Sequence, residues 1–311
     1  MKKTINTKSR IIAVIAAAVC SAVLLSGCVK GATKATNIGN VDLGCLDTTD
    51  SRVIAEIYSC AMKACGYTIR SRSEKSTIAD LSESAVARDV NMYPTYMTSA
   101  IRDVLKYDEE KDPDSAFEIL RTGFEINLDM TAMDYSPCNY SPGIAISKEA
   151  ADRLGIVTVS DLAEKAGEVR FVESPMAEGS EFDIAGLSDV YGDFAWHETV
   201  VSDDLHRYER ITLGEADACA ARATDGWLAD GTIVFLEDDL GFWPPYNVSA
   251  VVRNDLLTHR VIMGRVLNWV DKSLTTEIMR DLNRQVDVEG KSVEKVAEEY
   301  FRSIEYDMPQ L

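Results

Sequence analysis

Apolar positions along the chain switch repeatedly between two periods. Val53, Ile54, Ile57, Tyr58, Ala61, Met62 and Cys65 recur at the spacing of one helix face, behind Thr49-Asp50-Ser51, a polar triplet suited to a helix start. Gly66 ends that helix, and Tyr67 and Ile69 then alternate with polar residues as a short strand. The same switching predicts helices over 76–88, 99–106, 148–154, 159–166, 186–191 and 203–210. It predicts strands over 89–93, stopped by Pro94, and over 144–146, 169–172, 216–221 and 232–236. Residues 107–114 read as a charged loop, and after Arg253 the helical period runs almost unbroken to Tyr300. Strands interleaved with helices predict an α/β fold with open sheets.

Two extended connections stand out, near 136–144 and 244–252. The chain between them is about 105 residues, the size of a domain, with its own strand–helix alternation. It reads as an inserted lobe, entered by one crossing and left by the other. Residues 41–140 and 250–311 would form lobe I and residues 141–249 lobe II. Two lobes joined by two crossings make a hinge with a cleft, where ligands sit.

The N-terminus reads as an address. Lys2, Lys3, Lys8 and Arg10 precede the apolar run Ile11 to Leu25, too short to span a ~30 Å hydrocarbon core and suited to a signal peptide. It ends in Leu25-Ser26-Gly27-Cys28, the pattern of a bacterial lipobox. The expectation is a signal peptide over 1–27, a lipid on Cys28, and a Gly/Ala/Thr/Asn tether over 28–40. The protein would sit on the outer face of the cytoplasmic membrane.

Composition narrows the function more than the fold. Of 311 residues 46% are hydrophobic and 27% charged, which excludes collagen-like and mainly disordered chains. The net charge is −19, and loss of the leader removes four more basic residues. Such acidity argues against nucleic-acid partners. Five cysteines follow Cys28, namely Cys45, Cys60, Cys65, Cys138 and Cys219; their odd number leaves at least one outside any internal bridge, and most read as small buried apolar residues. No phosphate loop, dinucleotide fingerprint, nucleophile elbow or H-E-x-x-H pattern occurs, so neither a metal, a cofactor nor a catalytic reaction is implied. Glu237-Asp238-Asp239 ahead of Gly241 reads as an Asp-capped turn rather than a metal cluster.

Three stretches resemble the substrate-binding proteins of osmoprotectant ABC importers of the glycine betaine, choline and carnitine type. Leu236 to Asp255, LEDDLGFWPPYNVSAVVRND, is similar to that family's return crossing. Gly214-Glu215-Ala216-Asp217-Ala218 followed by Thr224-Asp225-Gly226 resembles its G-[DE]-[AV]-D-[AV] and T-D-G. Asp89 to Thr98, DVNMYPTYMT, is similar to its D-x-D-[VL]-Y-P-E-Y-T-G-T. The resemblance runs from about residue 45 to 303. It implies a two-lobe periplasmic-binding-protein-like fold of type II and a monomer that hands a small solute to an ABC permease.

It also implies a ligand site. A trimethylammonium group donates no hydrogen bond and is held by aromatic faces, at ~0.5–2 kcal/mol per contact. By resemblance Tyr96 and Tyr246 belong to such a cage, with Thr98, Thr224 and Asp225 beside it, while Phe242 and Trp243 pack the crossing. Three departures matter. Arg222 stands where the family has a cage tyrosine, the tyrosine of the first crossing is shifted, as Tyr140, or lost within Cys138-Asn139-Tyr140-Ser141-Pro142, and Thr49-Asp50-Ser51 replaces T-E-Q, with Ser51 as the polar contact. The expected solute is glycine betaine- or carnitine-like. A carboxylate, an amino-acid derivative or a polyol on the same fold, and a sensor module in place of a transporter component, remain open.

Overall fold

The computed structural model describes residues 38–174, 185–203, 206–257 and 261–309; the leader, Cys28 and most of the tether lie outside them. Strand β1 (Asn40–Leu46) leads into helix α1 (Thr49–Ala64), whose buried face carries Val53, Ile54, Ile57, Tyr58, Ala61 and Met62. Gly66, at φ +90, turns the chain where a side chain would be strained. Strand β2 (Thr68–Lys75), helix α2 (Ile78–Val86) and strand β3 (Met92–Tyr96) follow.

Pro94 does not stop β3. It pairs with Ala250 of the return strand. Ala250 donates its N–H to Asp271 and accepts from the Met133 N–H. That pair therefore carries no ladder hydrogen bond, and the missing proline N–H costs nothing there. A π-type turn, Ala100–Leu105, comes next. The charged loop then ends sooner than its composition suggests. Asp112 caps the Ser115 N–H and Pro113 opens helix α3 (Pro113–Leu128), an element the sequence pattern passes over. Strand β4 (Met130–Ala132) closes this half.

The second half repeats the plan. Strand β5 (Pro142–Ser147), helices α4 (Lys148–Leu154) and α5 (Val159–Lys165), and strands β6 (Arg170–Glu173) and β7 (Glu198–Val201) precede helix α6 (Arg207–Thr212). Strands β8 (Ala218–Arg222) and β9 (Ile233–Phe235) complete it. Strand β10 (Val248–Arg253) returns to the first half, and helices α7 (Val261–Ser273), α8 (Thr276–Asp287) and α9 (Val293–Ile304) pack on α1 or beside it.

Each half owns a five-stranded mixed sheet, ordered β2-β1-β3-β10-β4 and β7-β6-β8-β5-β9. Both read second, first, third, crossing strand, fourth, and in both the crossing strand is antiparallel to its neighbours. The chain is thus an α/β protein of two lobes. Apolar clusters cover both faces of each sheet, one around Val53, Tyr58 and Val270, another around Leu81, Leu120 and Phe124, and two more around Ile144 and Cys219. All five described cysteines are unbridged.

Candidate functional site

The crossings are stitched together. Asn139 and Asn247 form an antiparallel bridge. Ser136 N donates to Val248 O at 2.7 Å, Tyr140 N to Tyr246 O at 3.2 Å, and the Asn247 amide to Ser136 O at 3.0 Å. Asn139 Oδ1 accepts from both Tyr246 N and Ser141 N. This polar lacing satisfies backbone groups that burial would otherwise strand. It delivers Tyr140 to the line where the lobes meet.

Four side chains converge there. Asp50 is the second residue of α1, so its carboxylate lies at a helix N-terminus, where the helix dipole favours negative charge. The Tyr96 hydroxyl, at the end of β3, donates to Asp50 Oδ2. The Tyr96 and Tyr140 rings pack 4.7 Å apart, tilted by 38°. Arg222, at the end of β8 in the second lobe, places its guanidinium carbon 4.6 Å from the Tyr140 ring centroid. Burial raises the Asp50 carboxyl above its ordinary range, opposed by the Tyr96 hydrogen bond and the attraction of Arg222. Burial and then the Asp50 charge push the Tyr96 and Tyr140 phenols well up, so both stay protonated donors.

The T-D-G turn is fixed from behind. Asp225 Oδ2 accepts from Arg207 Nη2 at 2.8 Å, from the Tyr208 hydroxyl at 2.6 Å and from the Arg222 N–H at 2.9 Å. Tyr208 stacks on Trp227. The turn also meets helix α8 of the other lobe: Asn283 donates to Thr224 O at 2.8 Å and Arg280 Nε to Ala223 O at 2.5 Å. Gly226 is needed for this approach, since a Cβ there would stand 2.5 Å from the Arg284 backbone nitrogen.

The residues singled out by sequence thus fall into three groups. Tyr96, Tyr140 and Arg222 come together. Thr224 is buried at the turn beside them, its hydroxyl without a partner among the described residues. Asp225 is engaged with Arg207 and Tyr208. Ser51 turns inward, accepting from the Leu46 N–H at 2.9 Å, and Thr98 donates to Pro245 O at 2.6 Å. Tyr246 is buried in the first lobe's core, its hydroxyl reached by Arg102. Phe242 and Trp243 pack edge-to-face on each other and against the second lobe's core, their backbone N–H groups donating to Asp238. Sequence reasoning missed Asp50, Arg207 and Tyr208. Asp50 was legible as the acid inside Thr49-Asp50-Ser51; the other two carry no local motif.

Two lobes of like topology that meet at two phenols, a buried carboxylate and a half-buried guanidinium fit the class of solute-binding proteins. The model of OpuAC, the substrate-binding domain of ABC-type glycine betaine transport systems, matches residues 39–303, and the chain belongs to that family. The ergothioneine transport permease/ergothioneine binding protein EgtU of Helicobacter pylori is 27% identical over 70% of this chain, which spans only 38% of that relative. The carnitine transport binding protein OpuCC of Listeria monocytogenes is 22% identical over 92% of this chain and 94% of its own length. A solved structure titled as a glycine betaine/carnitine/choline ABC transporter superposes with a TM-score of 0.78 at 24% identity, covering 85% of this chain and 98% of that one. The protein is therefore the solute-binding component of an ABC importer.

Proposed function

We propose that this chain captures a carboxylate-bearing solute of the betaine class, glycine betaine- or carnitine-like, between residues 41–140 with 250–311 on one side and 141–249 on the other. The observation that carries the reading is Arg222 against Tyr140. A guanidinium in an aromatic site repels a bare quaternary ammonium and pairs with a carboxylate, by a charge-assisted bond worth about 1.5–3 kcal/mol. The name of the Helicobacter relative extends the class to betaines that carry a heteroaromatic side chain. The lobes close on the solute, the closed form docks on the permease, and the chain itself catalyses nothing.

A thermal-shift screen against glycine betaine, carnitine, ergothioneine, choline, amino acids and polyols tests this, because a bound solute stabilises by RT ln(1 + [L]/Kd). Carboxylate-bearing betaines should shift the midpoint and choline least; a polyol shifting it most would overturn the reading. We propose further that the mature protein is a monomer anchored through lipid on Cys28. The reading is supported by Leu25-Ser26-Gly27-Cys28 at the end of the apolar run Ile11 to Leu25; among the described residues no helix is long and apolar enough to cross a membrane. Mass spectrometry of the native N-terminus should find a lipid-modified cysteine, and Cys28→Ala should leave the leader attached.

A further inference from the structure

Helix α8 is tied to its own lobe at both ends and touches the other lobe in its middle. At its start, Thr276 Oγ1 accepts from the Asn139 N–H of the first crossing at 3.1 Å, and the Leu274 carbonyl just before it accepts from the Ser136 hydroxyl at 2.9 Å. At its end, Asp287 accepts from the Thr49 hydroxyl at the head of α1 at 2.6 Å. Between these anchors Arg280 and Asn283, three residues apart and so on one helix face, reach across to the turn after β8. Arg280 Nε donates to Ala223 O at 2.5 Å and Asn283 Nδ2 to Thr224 O at 2.8 Å. The N–H groups of Arg222, Ala223 and Asp225 are engaged within the second lobe, on Asp225 Oδ2, Ser141 O and Arg222 O, so this turn offers α8 its carbonyls.

We propose that Arg280 and Asn283 are a closing clasp: two side-chain donors of α8 that hold the second lobe by two consecutive main-chain carbonyls, favour the closed arrangement before any solute arrives, and so set the affinity for every solute without touching one. This rests on the lobe closure described above and not on the solute being a betaine. A main-chain carbonyl is a neutral acceptor that water can serve once the lobes part, so release strands no buried charge on the turn. The contact is also incompletely satisfied. Thr224 Oγ1 and Asn283 Oδ1 are buried at it and have no partner among the described residues. Opening hydrates them, which offsets part of what the two hydrogen bonds contribute and keeps the clasp poised rather than locked. Where the closed arrangement is the one that holds solute, the apparent Kd is the intrinsic one divided by the closed fraction. A change confined to the clasp then scales every solute by one factor.

Two measurements test it. The first is small-angle scattering of the solute-free protein. Asn283→Ala and Arg280→Met should raise the radius of gyration above wild type with far-ultraviolet circular dichroism unchanged, while Arg280→Lys keeps a donor and should stay nearer wild type. Arg280 is half-buried, so its variants decide the matter if Asn283→Ala alters the dichroism. Scattering that moves in neither variant overturns the clasp. The second is calorimetry with glycine betaine, carnitine and ergothioneine. Each variant should weaken all three by the same factor, about threefold to tenfold for one lost hydrogen bond. A loss confined to one compound makes the residue a solute contact and overturns the clasp. Expansion of the variants where wild type binds none of the three keeps the clasp and removes the betaine reading. Unmoved scattering with normal binding does the reverse.

Discussion

Asp271 shows how much a single buried carboxyl can decide. It lies fully buried on α7 between two neutral donors, the Tyr58 hydroxyl at 2.5 Å and the Ala250 N–H at 3.2 Å. Burial raises its pKa from 3.8 to about 7. Between those values the folded chain holds a proton that the unfolded chain has lost. The stability this group contributes is therefore complete below about pH 4 and falls as pH rises toward 7, by at most about 1.4 kcal/mol per pH unit. In Asp271→Asn the amide oxygen can accept from Ala250 and its NH2 can donate to Tyr58, so both hydrogen bonds survive without the titration. Urea unfolding at pH 5 and pH 8 should show the variant gaining on wild type at the higher pH. A difference that does not move with pH would mean that Asp271 carries no such proton.

At the scale of elements, the turn 224–226 is held by one carboxylate with three donors. Asp225→Asn replaces an ion with a dipole beside the half-buried Arg207 guanidinium and should cost about 2 kcal/mol. Because the turn pins the Arg222 strand end, affinity should fall by a similar factor for every betaine tested. A change in their rank order would make Asp225 a ligand contact instead. The same scale shows what the sequence discloses. Helix α1 was legible because its apolar stripe and Gly66 agree. Helix α3 was hidden behind a charged run, though Ala116, Leu120 and Phe124 lie on one buried face. Pro94 misled because the cost of a proline in a strand depends on which ladder position it takes, and that is set by the partner strand. Asp50 meets Tyr96 across 46 residues of chain, a contact that no local spacing encodes.

At the scale of the molecule, the two lobes meet backbone against backbone. Gly226 meets the Arg284 and Asn283 main chain of α8, with a Cβ reaching 2.5–2.8 Å from three of its atoms. No rotamer relieves such a clash, so Gly226→Ala should hold the lobes apart. Each lobe keeps its own sheet and should stay folded. Far-ultraviolet circular dichroism should therefore match wild type while betaine affinity falls about a hundredfold or more. Unchanged affinity would show that α8 and the turn do not meet in the bound form.

The lacing of the two crossings has a mechanical consequence. Strands bridged at Asn139 and Asn247 and bonded on either side form a two-stranded ribbon. A ribbon bends readily across its face and resists shear and independent stretching of its edges. The lobes it joins then have one soft coordinate, a rotation about a single axis. On the proposed closure, the gap between them at any one place then reports the whole state of the protein, and occupancy is expressed as one angle.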